Sequence, residues 1–433
     1  MWDTNMSNLK QARTHYPVIV VGGGQAGLSV SYYLKQLKLD HLVFEKNSLM
    51  HGWKTERWDS FTLVTPNWQC NLPGHPYDGD DPKGFMTRDE TLDYLNTFAS
   101  KLNAPVREGV AVNKVETDAN GLYHLSTSEG DFTADQVVVA SGGYHIPVIP
   151  RMAERLPESV FQMHSAQYKN AAQLPEGAVL VVGSGQSGAQ IAEDLHLAGR
   201  KVFLATGDAP RVSRFYRGKD VVEWLDDMGY YRISVNEHPL GKNVRNNTNH
   251  YVTGRDGGRD IDLRKFAQEG MELYGLMTDY DGENLVFLPN LTENLDKADA
   301  TLNNINARID AWIEQQGIKT EEGPSVYTPS WAPEKERTQL NLAESGITSI
   351  LWCIGFRPDF GWLDAAVFNG QGHPKHDRGV TNQPGLYFIG LPWLHTWGSG
   401  RFTSVGQDAE YLSEHIAAYQ RRVKTTAVEA VPA

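Results

Sequence analysis

Val20–Ser29 reads VVGGGQAGLS, and Val181–Gln190 reads VVGSGQSGAQ. The same glycine-rich turn thus occurs twice, about 160 residues apart. In the first copy, Pro17–Val21 (PVIVV) is a short β-branched run of the kind found in buried parallel strands. Gly22, Gly24 and Gly27 come next with G-x-G-x-x-G spacing, and Ala26, Val30, Tyr33, Leu34 and Leu37 then recur at helical spacing. The order is strand, turn, helix. Gly22 makes the turn, Gly24 lets a pyrophosphate approach the backbone, and Gly27 lets helix and strand pack closely. The helix N-terminus offers free N–H groups to phosphate charge, with Gln25 and Ala26 in the same turn.

The strands after the two turns end on different residues. The strand HLVFEK ends on Glu45, eighteen residues past Gly27, with Lys46 next. A carboxylate there can accept hydrogen bonds from a ribose 2′-hydroxyl. The second copy runs through Gly183, Ser184, Gly185, Gln186, Ser187 and Gly188 into a helix marked by Ile191 and Leu195, then a strand, KVFLAT. Eighteen residues past Gly188 stands Thr206, not an acid, and Arg211 and Arg214 come soon after. A carboxylate would repel a 2′-phosphate, whereas arginines bind one through charge-assisted hydrogen bonds. The first turn therefore suits a dinucleotide with a free 2′-hydroxyl and the second NADPH. Two such sites in one chain imply electron transfer between them, with FAD in the first and NADPH in the second as the usual division. A solvated basic loop is the plainer reading of Arg211 and Arg214, and NADH is the alternative coenzyme.

The chain has 433 residues, 40% hydrophobic, enough for two or three domains. A net charge of −13 argues against a nucleic-acid partner held through phosphate contacts. The two cysteines, Cys70 and Cys353, form no C-x-x-C pair, and no metal site is expected. Sparse cysteine, a polar leader over Met1–Tyr16 and no long apolar run together suggest a cytoplasmic protein off the membrane. The tail after Arg422 reads as a disordered end.

Between the turns, Thr87 and Glu90 form a capping box ahead of Leu92, Leu95, Phe98 and Leu102, predicting a helix. Short strands are expected around Val110–Val115, Tyr123–Ser126 and Phe132, and another in DQVVVASGG. Pro147 and Pro150 break regular structure at a domain crossing. The stretch 208–264 is polar and irregular, open to reading as a lid or a binding loop. Leu302, Ile305, Ile309 and Trp312 mark an amphipathic helix, and Val405, Ala409, Leu412 and Ile416 a last one. GITSILWCIGFRPD returns the chain to the first domain. The fold class is α/β: two Rossmann-like dinucleotide-binding domains in the two-domain plan of glutathione reductase. Residues 1–150 and 335–433 would form the FAD domain and 151–334 the NADPH domain.

With these motifs in order, the chain resembles the class B flavoprotein monooxygenases, which include the flavin-containing monooxygenases and the plant YUCCA enzymes. ASGGYHIPVIP (Ala140–Pro150) is similar to their A-T-G-x-x-x-x-P-x-x-P linker, and FQMHSAQYK to the end of their F-x-G-x-x-x-H-x-x-x-Y/F signature, with His164 and Tyr168 in place. Glu158 and Val160 stand where that signature opens with phenylalanine and glycine, and Tyr168 stands where Baeyer–Villiger enzymes carry Trp. The resemblance implies FAD reduction by NADPH, a flavin C4a-hydroperoxide formed with O₂, and oxygen transfer to nitrogen, sulfur or carbon of a small organic molecule. It places Trp53, Val112, Gly142 and Gly390 near the cofactors. Asn67 and Asn71 are its candidate catalytic amides, with an Asx-turn role beside Pro66 and Pro73 as the alternative. Trp393 and Trp397, in LPWLHTWGSGRF, would shape the substrate pocket or simply pack a loop. An NAD(P)H oxidase or flavin-dependent reductase on the same fold is the competing function. A disulfide reductase needs a cysteine pair that the chain lacks. A homodimer is left open.

Overall fold

The computed structural model describes the backbone of residues 13–429 and the side chains of 13–423. The two large sheets are each grown around one glycine turn. The first takes β1 (His15–Val21), β2 (His41–Glu45), β3 (Val106–Glu108), β4 (Val112–Thr117), β5 (Tyr123–Thr127) and β6 (Gly130–Val139). Their spatial order is β3-β2-β1-β6-β5-β4. Strands β3, β2, β1 and β6 run parallel, and β6, β5 and β4 form an antiparallel meander. The second sheet takes β7 (Phe161–His164), β8 (Ala178–Val182), β9 (Val202–Ala205), β10 (Glu272–Tyr274) and β11 (Ile347–Trp352). It is wholly parallel, in the order β7-β11-β8-β9-β10. Strand β12 (Leu386–Phe388) then rejoins the first sheet beside β6.

The central strands are covered on both faces, so they need apolar residues at every position rather than at alternate ones. Val18, Ile19 and Val20 are fully buried, as are Val179, Leu180 and Val181. Helix α1 (Gln25–Gln36) buries Ala26, Leu28, Val30 and Leu34. These share one core with α2 (Arg88–Leu102) and with Val405, Ala409, Leu412 and Ile416 of the last helix. The capping box is present at α2, with Glu90 accepting from the Thr87 N–H at 2.8 Å. Helix α3 (Gln186–Leu197) and the long α4 (Leu291–Gln316) cover the second sheet, and α5 (Val405–Glu429) closes the chain.

The two passages between lobes lie side by side. Ile146–Pro147 pairs antiparallel with Phe356–Arg357, and the Asp359 N–H donates to His145 Nδ1 at 2.8 Å. His164 secures the same hinge. Its Nδ1 accepts from the Ala166 N–H, which leaves Nε2 to donate to the Gly355 carbonyl at 3.0 Å. A second fastening centres on Asp194 of α3, which accepts from Ser60 Oγ at 2.5 Å, Tyr168 Oη at 2.7 Å and Arg255 Nη1 at 2.9 Å. One carboxylate thus ties Ser60 of the first lobe, Tyr168 and the 208–264 stretch to α3.

Several expectations need correction. Strand β3 lies outside the expected set, and Phe132 and DQVVV belong to one ten-residue strand. The crossing residues Ile146 and Pro147 are paired rather than irregular. ITSILW does not return the chain to the first lobe at 335; it is β11, inside the second sheet, where burial on both faces suits its fully buried Ile350, Leu351 and Trp352. The return comes after Trp352. Backbone beyond Arg422 remains helical through Glu429, and Met1–Ala12 and the last four residues lie outside the described residues.

Glu193, next to Asp194, pairs with Arg259 at 2.6 Å. Burial raises its pKa from 4.5 to about 7 against the pull of Arg259 and Arg255. The folded protein therefore holds a proton that the unfolded chain releases near 4.5, so this group's contribution to stability falls as pH rises from 4.5 to about 7. A Glu193→Gln protein should show a flatter stability–pH profile across that window in urea titrations. An unchanged slope would show that Glu193 does not carry the proton.

Candidate functional site

The first turn is held open by its backbone. Gly22 has φ +117°, and a Cβ on Gly27 would collide with the Gly22 carbonyl oxygen. The second turn repeats this, with Gly183 at φ +101° and Gly188 against the Gly183 carbonyl. The middle glycines differ from these. A Cβ on Gly24 would meet nothing within 4 Å, and one on Gly185 only Thr248 Cγ2 at 3.8 Å. Each turn is therefore packed tightly from behind and open in front, at the free N–H groups of a helix start. That shape fits a dinucleotide pyrophosphate at both places.

Glu45 completes the first cradle. Its carboxylate accepts from the Gly23 N–H at 2.7 Å and the Asn47 N–H at 2.8 Å. Each oxygen keeps lone-pair capacity for ribose hydroxyls. In the second cradle the direction of the bond is reversed. Ser184 replaces Gly23, and its hydroxyl accepts from the Gly207 N–H at 3.0 Å. Gln186 donates to the Val252 carbonyl at 2.6 Å, and Ser187 is exposed in the first turn of α3.

Gln25 links the first cradle to the aromatic residues. It donates to the Gly400 carbonyl at 3.1 Å and accepts from Trp53 Nε1 at 3.2 Å. Trp53 packs against Phe402 at 5.1 Å between centroids. Gly390, at φ +82°, leaves a built Cβ only 2.9 Å from Ala26 Cβ, so the 390–402 segment lies directly over the start of α1. Gly142 opens the linker at φ +77° with open space beside it. Val112 begins β4, two residues after Val110, whose N–H binds the Glu45 carbonyl at 2.9 Å. Lys46 is exposed beside Glu45.

Arg211 and Arg214 are not placed as a phosphate clamp. Arg214 is fully buried, pairs with Asp220 at 2.6 Å, donates to the Val64 carbonyl at 2.7 Å and stacks over Phe85. Arg211 is 2% exposed, lies between Asp262 and Asp299 at 3.2 and 3.3 Å, and stacks over Tyr327. Their charges are already neutralised inside the protein, and a phosphate could reach them only by breaking buried ion pairs. Asn67 is likewise committed. Its amide donates to the Asp81 carbonyl at 2.9 Å and accepts from the Met86 N–H at 2.7 Å, so it clamps its own loop. Asn71 is exposed, with its N–H directed at the Phe402 carbonyl, and is the amide of the two that a ligand can reach.

The 208–264 stretch folds onto the site. Trp393 is buried against Val235 and Val244 and holds a left-handed φ of +51°, a strained conformation for so large a residue. Its carbonyl accepts from Arg245 at 3.1 Å. Trp397 meets Tyr231 at 4.6 Å and lies under the Arg401 guanidinium at 4.1 Å. Sequence reasoning missed Arg57 and Arg401, because a single arginine in a loop carries no pattern. It also missed His250, beside Asn249, whose pKa burial drives down to about 4, so that it stays neutral at physiological pH. Cys70 and Cys353 lie in separate cores, and burial pushes both thiols up to about 12. Neither can act as a thiolate near neutral pH. Among the described residues no group of His, Cys, Asp and Glu could hold a metal ion, and no helix is long and apolar enough to cross a membrane.

The sequence pattern of the pyridine nucleotide-disulphide oxidoreductases matches residues 19–253. An uncharacterized CzcO-like oxidoreductase of Geobacillus kaustophilus is 31% identical, covering 92% of this chain and 97% of its own. The indole-3-pyruvate monooxygenase YUCCA6 of Arabidopsis thaliana is 27% identical over 45% of this chain and 48% of its own. The fold is similar to that of a Stenotrophomonas maltophilia flavin monooxygenase mutant, with TM-score 0.62, 20% identity, and coverage of 94% of this chain and 99% of the other. It is also similar to OTEMO in complex with FAD and NADP, with TM-score 0.56, 12% identity, and coverage of 95% and 85%.

Two kinds of substitution separate structural from binding roles here. Arg214→Ala strands Asp220 in the core and should cost about 3–5 kcal/mol of stability. In thermal unfolding it should lower the midpoint, while the NADPH-to-NADH preference of the folded fraction stays put; a switch toward NADH with stability intact would restore Arg214 to the coenzyme site. Gly27→Ala should destabilise by about 1–3 kcal/mol through overpacking. Gly24→Ala should unfold like the parent yet bind FAD more weakly in titrations of the apoprotein. Equal FAD affinity would refute the open-front cradle.

Proposed function

The chain belongs to the pyridine nucleotide-disulphide oxidoreductase family, and from that premise we propose an FAD- and NADPH-dependent monooxygenase of the class B group, acting on a small organic molecule with O₂. The observation that carries the reading is the pair of open-fronted cradles in one chain, joined by two adjacent crossings. FAD belongs to the lobe of the first sheet, where Glu45 is placed to take ribose hydroxyls. NADPH belongs to the lobe of the second. When bound, this pair supplies hydride transfer from nicotinamide to flavin and the activation of O₂.

The chain's own part is to bind, orient and exclude water. Gln25, Trp53 and Gly400 brace the edge of the first cradle. The Trp393–Phe402 segment and the 208–264 stretch close over it, and their direct bond from the Val235 N–H to the His395 carbonyl is 2.6 Å. A dry enclosure of this kind slows the loss of a reactive oxygen species to water. Disulfide chemistry, which gives the family its name, has no thiol pair here: the only two cysteines lie buried in separate cores. Asn71, not Asn67, is the amide available to the reacting groups. The reading places the enzyme in the cytoplasm, where its two cysteines stay reduced.

The test tracks the flavin spectrum after NADPH-reduced protein is mixed with O₂. A monooxygenase regains the oxidised spectrum slowly without substrate and faster with it, releasing little hydrogen peroxide. Immediate reoxidation with stoichiometric peroxide would make the protein an oxidase. A failure of NADPH to bleach the flavin at all would overturn both.

A further inference from the structure

The two glycine turns carry the same side chain in the same place. Gln25 follows Gly24, and Gln186 follows Gly185. Each donates to a carbonyl of the segment lying against its turn: Gln25 to Gly400 at 3.1 Å, and Gln186 to Val252 at 2.6 Å. These two segments are also joined to each other. The Val235 N–H donates to the His395 carbonyl at 2.6 Å, Ser234 forms a β-bridge with Thr396, and Arg401 donates to Asn249 Oδ1 at 3.0 Å. Residues 234–252 are thus a strap, fastened on one side to the second cradle and on the other to the cover of the first.

The strap has buried anchors and an exposed middle. Val244 packs with Val235 and Trp393. Tyr251 enters the core of the second sheet, and its N–H donates to the Pro210 carbonyl at 2.9 Å. Between these anchors, residues 246–249 are exposed. Thr248 is the one of them that meets the second cradle. A Cβ built on Gly185 would have Thr248 Cγ2, at 3.8 Å, as its sole neighbour within 4 Å. Gly185 is the middle glycine of the turn, the one that lets a pyrophosphate approach. The Thr248 hydroxyl has no hydrogen-bond partner among the described residues. Ser184, a hydroxyl of the turn itself, is buried and already accepts from the Gly207 N–H at 3.0 Å.

We infer that Thr248 is a coenzyme ligand: its hydroxyl donates to the pyrophosphate of the nicotinamide coenzyme, and Gln186 is the positioning residue that holds the strap there. This rests on the reading of the second cradle as the coenzyme site. A free hydroxyl in front of the glycine turn adds a donor to the N–H groups of the helix start. The consequence lies in the next residue. Asn249 is bonded to Arg401, and the neighbouring Gly400 is held by Gln25 of the first cradle. A coenzyme seated on Thr248 is therefore fixed relative to the cover of the FAD lobe. Reaction between two separately bound nucleotides requires that kind of fixed placement.

The test titrates the oxidised, FAD-loaded protein with NADP⁺ by calorimetry, with no turnover required. Thr248→Val keeps the shape and removes the donor. It should weaken NADP⁺ binding about tenfold, the loss expected for one hydrogen bond to a charged oxygen. Thr248→Ser keeps the hydroxyl and should bind like the parent. Gln186→Met should also weaken binding, and combining it with Thr248→Val should add less than its separate loss, because the glutamine acts through the threonine. NADP⁺ binding by Thr248→Val that equals the parent's overturns the proposal. Tighter binding overturns it too, since the strap would then be an obstruction. Equal losses in the Val and Ser variants, with a lowered unfolding midpoint in the absence of coenzyme, would make the residue structural. Fully additive losses would remove Gln186 from its positioning role. Bleaching of the parent's flavin by NADPH is scored separately, so loss of the Thr248 contact alone leaves the monooxygenase reading in place.

Discussion

In both lobes the first glycine's carbonyl lies where any side chain on the third glycine would sit. This contact between a strand end and a helix start sets everything downstream. It lets α1 and α3 begin right at the end of β1 and β8, with their free N–H groups facing outward. A side chain at Gly27 or Gly188 would push the helix off the sheet and close the front of the cradle. The apolar helix faces then find their cores already placed: Ala26, Leu28 and Leu34 in one lobe, Ala189, Ile191 and Leu195 in the other.

The two lobes are related by repetition but not by charge. Glu45 gives the first cradle an acceptor, whereas Ser184 and Thr206 give the second only neutral groups. The lobes are then locked by carboxylates. Asp194 gathers donors from three parts of the chain, and Asp220, Asp262 and Asp299 hold the 208–264 stretch through Arg211, Arg214 and Arg264. Buried pairs of this sort add little net stability, since desolvation offsets most of the attraction. They supply instead a fixed path for an otherwise irregular segment, which brings Tyr231, Val235 and Asn249 against the Trp393–Phe402 loop.

That allocation of charge also explains why the site reads so differently from the rest of the interior. Where the fold must be fixed, arginine meets aspartate. Beside the first cradle, Arg57 and Arg401 lie over tryptophan rings and donate to carbonyls and one amide. Desolvation also keeps the half-buried His250 neutral at physiological pH.

The sequence by itself determined the two strand–turn–helix units, the acid that ends the second strand at Glu45 and the capped helix at Thr87. These depend on contacts within a few residues or on the repeat of a helix, and such constraints are written in local spacing. Tertiary structure alone decided which arginines are buried in ion pairs. Arg211 and Arg214 stand in sequence where a phosphate clamp would, yet their aspartates come from six to 88 positions away and take their charge. Asn67 and Asn71 look equivalent in the chain, but only the fold directs Met86 and Asp81 onto one of them. ITSILW could serve either sheet by composition, and the gap between β7 and β8 decided where it went. Partners supplied by distant segments leave no periodic trace, so their assignment had to wait for the folded chain.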